Sequence, residues 1–301
     1  MKKLITFLSL FATTTAFGQQ LPWVPFTWTE GRSAIMIPVT IDNLPHKLQM
    51  QFDLGAVTTV VYGKSFAPYL AHYPALQAKL DSTQTFIIQS QKNSKLVGVD
   101  LHLGKVDFGA RNIGLFKNFG DSLTDKILAT KEVVSIGTIA PDLFQDRVLV
   151  IDYPRRRLCV TDKVPAAYAG AAFQPFKSKK GRIKIPLQIA GKTEDLLFDT
   201  GSSLFALSTT RARALAATTG VIQDSLKSST WGEEYYVYGR RPSSAIYFGK
   251  KRLPDALIFS DNIKIFDKFF EQEGIWGVTG NKFFWNNTVI IDYKNHVFGV
   301  Q

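Results

Sequence analysis

The chain has a single cysteine, Cys159, among 301 residues, so no intrachain disulfide is available to brace it. Its setting, Leu158-Cys159-Val160, is an apolar strand pattern that suits a buried, inert thiol better than a nucleophile. Histidine is scarce too. His46, His72, His102 and His296 are dispersed without metal-ligand spacing, and Asp100-Leu101-His102 reads as strand alternation. The expectation is no metal and no cofactor. No glycine-rich phosphate loop follows a strand, which argues against a nucleotide enzyme. No serine sits in a small-residue elbow with a histidine to pair it. Beyond the first twenty residues no apolar run is long enough to span a bilayer.

The first twenty residues form a class of their own. Lys2 and Lys3 precede a short apolar run over 4–12, and Ala16-Phe17-Gly18 supplies small residues two apart. This is the pattern of a signal peptide over 1–18, cut after Gly18, and it predicts a secreted or periplasmic protein. Lysine and arginine number 36 against 25 acidic residues. The basic residues are scattered, and their densest clusters, at 155–157, 177–180 and 250–252, fall in turn or linker patterns. That distribution suits solvated loops and not a nucleic-acid surface.

The rest of the chain is made of short apolar runs rich in β-branched residues. Examples are 35–41, 86–88, 148–151, 183–189 and 288–291, punctuated by Gly, Pro, Asn and Asp. The pattern predicts an all-β fold. Helical periodicity is confined to 65–80 and 209–218, each just after a strand.

The runs repeat. Ile35-Met36-Ile37-Pro38-Val39-Thr40-Ile41 matches Ile183-Lys184-Ile185-Pro186-Leu187-Gln188-Ile189, and each is followed by an Asp-x-Gly at Asp53 and Asp199. Later, Ile136-Gly137, Leu143-Phe144 and Val150-Ile151-Asp152-Tyr153 match Trp276-Gly277, Phe283-Phe284 and Ile290-Ile291-Asp292-Tyr293. Three blocks in one order argue for a duplicated β unit. The copies span 19–162 and 180–301, joined by a linker at 163–179. Asp152 and Asp292 end apolar strands before a polar stretch and read as turn formers.

Each Asp-x-Gly sits at a strand end, where Gly55 and Gly201 permit a sharp turn and the Asp projects from the core. Two such turns facing each other bring two carboxyls together, and close like charges favour sharing one proton. One group is then a base toward water and the other an acid toward a carbonyl.

Asp199-Thr200-Gly201-Ser202-Ser203 resembles the active-site loop of the pepsin-like aspartic peptidases. Ile275-Trp276-Gly277 is similar to that family's second element, and the apolar run at 289–300 to its closing strands. The resemblance extends over nearly the whole chain after residue 18. It implies a bilobal, pseudo-symmetric fold of two mostly antiparallel β domains with a cleft between them. It also implies Asp53 and Asp199 as catalytic pair, and a peptide or unfolded protein as substrate of a monomer. Thr200 is expected to bond across to the other loop and Ser202 to bond its own carboxylate. The first loop departs from the pattern, because Leu54 and Ala56 carry no hydroxyl. The family's covering hairpin falls at about 84–99, which has no tyrosine; the equivalent hairpin at 231–241 has Tyr235, Tyr236 and Tyr238, which also suit cross-strand packing. Two readings stand: an aspartic endopeptidase, and a peptide-binding module on the same fold.

Overall fold

The computed structural model describes residues 21–301 except Ser33, Gln89, Trp231, Gly232 and Ile265, so the predicted signal peptide lies outside the described residues. The fold is mostly β, in antiparallel and mixed sheets.

The internal repeat of the sequence is a repeat of strand order. Ile35–Ile41 pairs antiparallel with Leu48–Phe52, which lies parallel to Val134–Ile139. That strand runs antiparallel to Val60–Tyr62, which lies parallel to Val106–Phe116. Val106–Phe116 pairs with Gln91–Leu103, which returns to Ile35–Ile41 at Thr40 and Ile41. The ring closes as a six-stranded barrel, which leaves fewer unpaired strand edges.

The second half follows the same path with the same senses through Arg182–Ile189, Lys192–Phe198, Gly277–Thr279, Leu207–Thr209, Ile258–Asp261 and Glu233–Pro242. Its ring returns through a separate short strand, Tyr247–Phe248, which meets Arg182–Ile189 at Gln188. The strand that is continuous in the first half is thus broken between Pro242 and Tyr247 in the second.

A third sheet joins the halves. Val148–Asp152 and Thr288–Asp292 lie antiparallel at its centre, with Val150 opposite Ile290. The segment 163–179 is not plain connection: Ala172–Pro175 pairs with Val297–Val300 in this sheet, and Lys177–Lys179 pairs with Arg182–Ile189. Asp152 and Asp292 act at turns, accepting from the N–H of Arg155 at 3.2 Å and of Asn295 at 2.9 Å.

The core is aromatic in matched places. Phe52 meets Phe144 edge-on at 6.0 Å, and Phe198 meets Phe284 edge-on at 5.5 Å. Each of Phe52 and Phe198 directly precedes an Asp of interest, so packing fixes the strand end from which the carboxyl projects.

The helix expected over 65–80 is shorter. It runs Gly63–His72, breaks at Tyr73, resumes as Pro74–Gln77 and gives way to strand at Leu80. Pro74 disfavours helical angles at Tyr73, which sits at φ −117°, ψ 89°. The second expected helix is Arg211–Ala217, capped by the Thr210 side chain, which accepts from Arg213 N. No described helix is long and apolar enough to cross a membrane. Cys159 is fully buried, and burial pushes its thiol up to about 12.

Candidate active site

The two Asp-x-Gly loops meet. Each Asp is anchored through its own N–H to the strand inserted beside it. Asp53 N donates to Ile139 O at 2.9 Å and Asp199 N to Thr279 O at 3.0 Å. Asp53 Oδ1 accepts from the N–H of Gly55 at 2.9 Å and of Ala56 at 3.0 Å. Asp199 Oδ1 accepts from Gly201 N at 2.8 Å.

The glycines have a different role from the one expected. Neither Gly55 nor Gly201 has a positive φ. What each supplies is space for the opposite carboxyl. A Cβ on Gly55 would lie 2.4 Å from Asp199 Cγ, and one on Gly201 would lie 2.7 Å from Asp53 Cγ. The loops therefore interlock, and the carboxyls stand within hydrogen-bonding reach of each other.

As whole residues Asp53 and Asp199 are each half-buried. Burial raises the Asp53 carboxyl well above its ordinary range, and the charge of Asp199 and the bond to it raise it further. Burial also raises Asp199, while its bond with Asp53 and backbone amides including Gly201 and Ser202 oppose the shift. Both carboxyls are raised, and a coupled pair in this environment shares one proton between its two members.

Thr200 bridges the loops as expected. Its Oγ1 accepts from Leu54 N at 2.9 Å and donates to Phe52 O at 2.9 Å. The mirror bridge is missing because Leu54 is a fully buried hydrocarbon. Ser202 differs from expectation. Its Oγ is buried without a partner among the described residues and does not bond Asp199; the Ser202 backbone amide lies near that carboxyl. That amide donates to the Asp199 carbonyl oxygen at 3.1 Å.

Several groups around the pair escaped the sequence reading. Asp142 grips the first loop, accepting from Thr59 Oγ1 at 2.6 Å, Thr59 N at 2.9 Å and Thr58 Oγ1 at 3.2 Å. Burial raises its carboxyl against these donors. Asn281 grips the second loop: its Nδ2 donates to Thr200 O at 2.7 Å and to Ser203 Oγ at 2.6 Å. Tyr62 shares a 2.5 Å hydrogen bond with Thr138, and burial pushes its phenol up to about 12, with a smaller push from the charge of Asp53. Asp142 is legible in hindsight as an acid after Ala140-Pro141 on the repeat's late block. Asn281 carries no signal of its own.

Two hairpins extend from the rings, one from each half. In the first, Leu80–Ile88 pairs with Gln91–Leu103; in the second, Thr218–Thr230 pairs with Glu233–Pro242. Tyr235 is buried with Phe205, Val237 and Phe259 and meets Phe266 edge-on at 5.5 Å, so packing accounts for it. Tyr235 also stands near enough to Asp199 for that charge to help raise its phenol, after burial. Tyr236 is exposed and Tyr238 half-buried.

His102 is flanked by carboxylates, with Nε2 3.1 Å from Asp100 Oδ2 and Nδ1 3.6 Å from Asp107 Oδ1. The alternation seen in the sequence puts Asp100 and His102 on one face, and strand register sets Asp107 opposite His102. The ligand-capable atoms of Asp100, His102 and Asp107 lie within 4.8 Å of one another, close enough to hold a cation, which the strand alternation alone does not reveal. Compared with family models and with curated proteins, the chain matches none.

Proposed function

We propose that the protein is an aspartic endopeptidase of the pepsin-like type, acting on peptides or unfolded proteins without metal or cofactor. In this reading the two strand rings are two lobes, and the substrate lies extended in a cleft between them. The observation that carries it is the interlock: Gly55 faces Asp199, Gly201 faces Asp53, and the two carboxyls lie within mutual hydrogen-bonding reach.

The protonated Asp53 donates to the scissile carbonyl oxygen. Asp199, ionised, takes a proton from a water whose oxygen attacks the carbonyl carbon, giving a gem-diol. That proton passes to the amide nitrogen, the C–N bond breaks, and Asp53 regains its proton as the carbonyl re-forms. The signal peptide pattern supports action outside the cytoplasm, secreted or periplasmic.

The test is cleavage of an unfolded protein from about pH 3 to about pH 8, the span over which a coupled carboxyl pair changes state. The parent is expected to cleave, and Asp53→Asn and Asp199→Asn are expected not to. Cleavage by either pure variant would refute the mechanism. A second reading, a peptide-binding module on the same fold, is favoured by Leu54, Ala56 and the idle Ser202 hydroxyl. A folded parent that binds peptides and turns over none at any pH in the series would establish it.

A further inference from the structure

Two tyrosines related by the repeat have unequal fates. Tyr153 follows the strand Val148–Asp152, and Tyr293 follows Thr288–Asp292; they are 3% and 5% exposed. The Tyr153 hydroxyl donates to Asn281 Oδ1 at 2.6 Å. The Tyr293 hydroxyl is buried without a partner among the described residues. The spacing explains the difference. Asn281 stands four residues after Gly277, and the residue four after Gly137 is Pro141, whose side chain has no acceptor.

Asn281 is the hub of the second loop. Besides the bonds from its Nδ2 to Thr200 O and Ser203 Oγ, its N–H donates to Ser202 O at 3.2 Å. Gly280 runs so close to the same loop that a Cβ there would sit 1.6 Å from Ser202 O. Thr200, Ser203 and Asn281 are 0%, 1% and 0% exposed, so water does not compete for these bonds. The loop bearing Asp199 is therefore tied, through one amide side chain, to a tyrosine of the other half. The loop bearing Asp53 is held by Asp142 of its own half and by the Thr200 hydroxyl of the other.

We infer that Tyr153 and Asn281 are positioning residues that set, from across the two halves, where Asp199 stands against Asp53. The inference rests on Asp53 and Asp199 working as a pair. Behind the direct Thr200 bridge, it assigns this tyrosine-to-amide tie to one side only, because the Pro141 side chain at the mirror site has no acceptor.

The test compares Tyr153→Phe, Asn281→Ala and Tyr293→Phe in the intact chain. Tyr293→Phe is the matched control, since it removes an equally buried hydroxyl that holds nothing. The readout is the pH titration of the Asp carboxyl carbons by carbon-13 NMR, assigned from Asp53→Asn and Asp199→Asn. The coupled titration of the pair is expected to shift in Tyr153→Phe and Asn281→Ala and to stay in place in Tyr293→Phe. In cleavage assays the first two variants are expected to lose kcat with KM held. An unshifted titration in folded Tyr153→Phe overturns the inference, even where that variant is less stable. Should Asn281→Ala not fold, Tyr153→Phe decides alone. The titration needs no turnover. A parent that does not cleave but whose pair shifts keeps the latch and sinks the peptidase; a cleaving parent with an unshifted pair does the reverse.

Discussion

Thr200 holds two backbone groups of the opposite loop with one oxygen, accepting from Leu54 N and donating to Phe52 O. Thr200→Val keeps the shape and strands both groups in a buried layer. Leaving a buried polar group unpaired costs about 1–3 kcal/mol, so the variant is expected to lose on the order of 2–4 kcal/mol in urea unfolding. Thr200→Ser, which retains the hydroxyl, is expected to lose much less. Asp53 gives a second prediction. Its raised carboxyl means that the folded chain holds a proton which the unfolded chain releases, in the window above the ordinary value of 3.8. Stability from this group is complete below that window and is lost as pH rises through the raised value. The parent's Tm should therefore fall with rising pH across the window. Asp53→Asn should show a shallower fall, with Asp199 and Asp142 retaining slopes of the same sign. Equal slopes in parent and variant would show that Asp53 does not carry the proton. The residues legible in the sequence, Asp53, Asp199 and Thr200, lie on strand-turn patterns that the repeat marks twice. The roles of Asp142 and Asn281 are not legible, although Asp142 lies on the repeat's late block, because each belongs to one half only and their partners are set by tertiary packing of loops far apart in the chain.

The helix Asp267–Glu273 shows how an element can be held against its own preference. Glu273 closes it, and a carboxylate at a helix C-terminus is unfavourable to the helix dipole. The neighbouring strand reverses the balance. Glu273 Oε1 is 2.5 Å from Arg182 Nη2, Oε2 is 3.5 Å from Lys184 Nζ, and Lys179 Nζ is 3.8 Å from Oε1. Arg182 and Lys184 are each 8% exposed, and the Arg182 guanidinium also lies 5.5 Å from the centre of the Phe269 ring. One carboxylate thus serves three cations. Glu273→Gln removes the only acid of this group and is expected to cost about 3–5 kcal/mol in chemical denaturation, the usual scale for breaking a buried pair on one side. A loss under about 1 kcal/mol would mean that the cations find water instead. The strand Arg182–Ile189 is readable from its apolar positions, and nothing in that pattern marks Arg182 and Lys184 as buried. Alternation records which side chains point inward, and it does not record that an acid 91 residues from Arg182 will meet them. The broken helix after residue 72 has the opposite lesson: Pro74 was visible, and its local restriction outweighed the helical periodicity around it.

The pair of carboxyls exists only because two halves of the chain share a sheet. Val148–Asp152 and Thr288–Asp292 pair along their full length, and the cluster Val148, Val150, Cys159 and Ile290 is built from both. Val24–Pro25 and Ala172–Pro175 flank the same sheet on its two sides. Each half closes most of its own ring, so each has a core, but separation exposes an apolar strand edge where the other half belonged. The repeat announced the two units, and it could not announce how they join, because strands that pair with their own symmetry mates carry no pattern different from strands that pair within a unit. The consequence is measurable. Fragments 21–162 and 163–301, produced separately, are expected to aggregate or give poorly dispersed NMR spectra. Refolded together in equal amounts, they are expected to recover a dispersed spectrum and the coupled titration of Asp53 and Asp199. The intact chain should unfold in urea as a single transition by both far-ultraviolet circular dichroism and tryptophan fluorescence. Two separated transitions, or a lone fragment with a native-like spectrum, would show that a half is self-sufficient. The shared sheet would then be a joint between independent domains, and the spacing of the carboxyls would depend on the loop contacts alone.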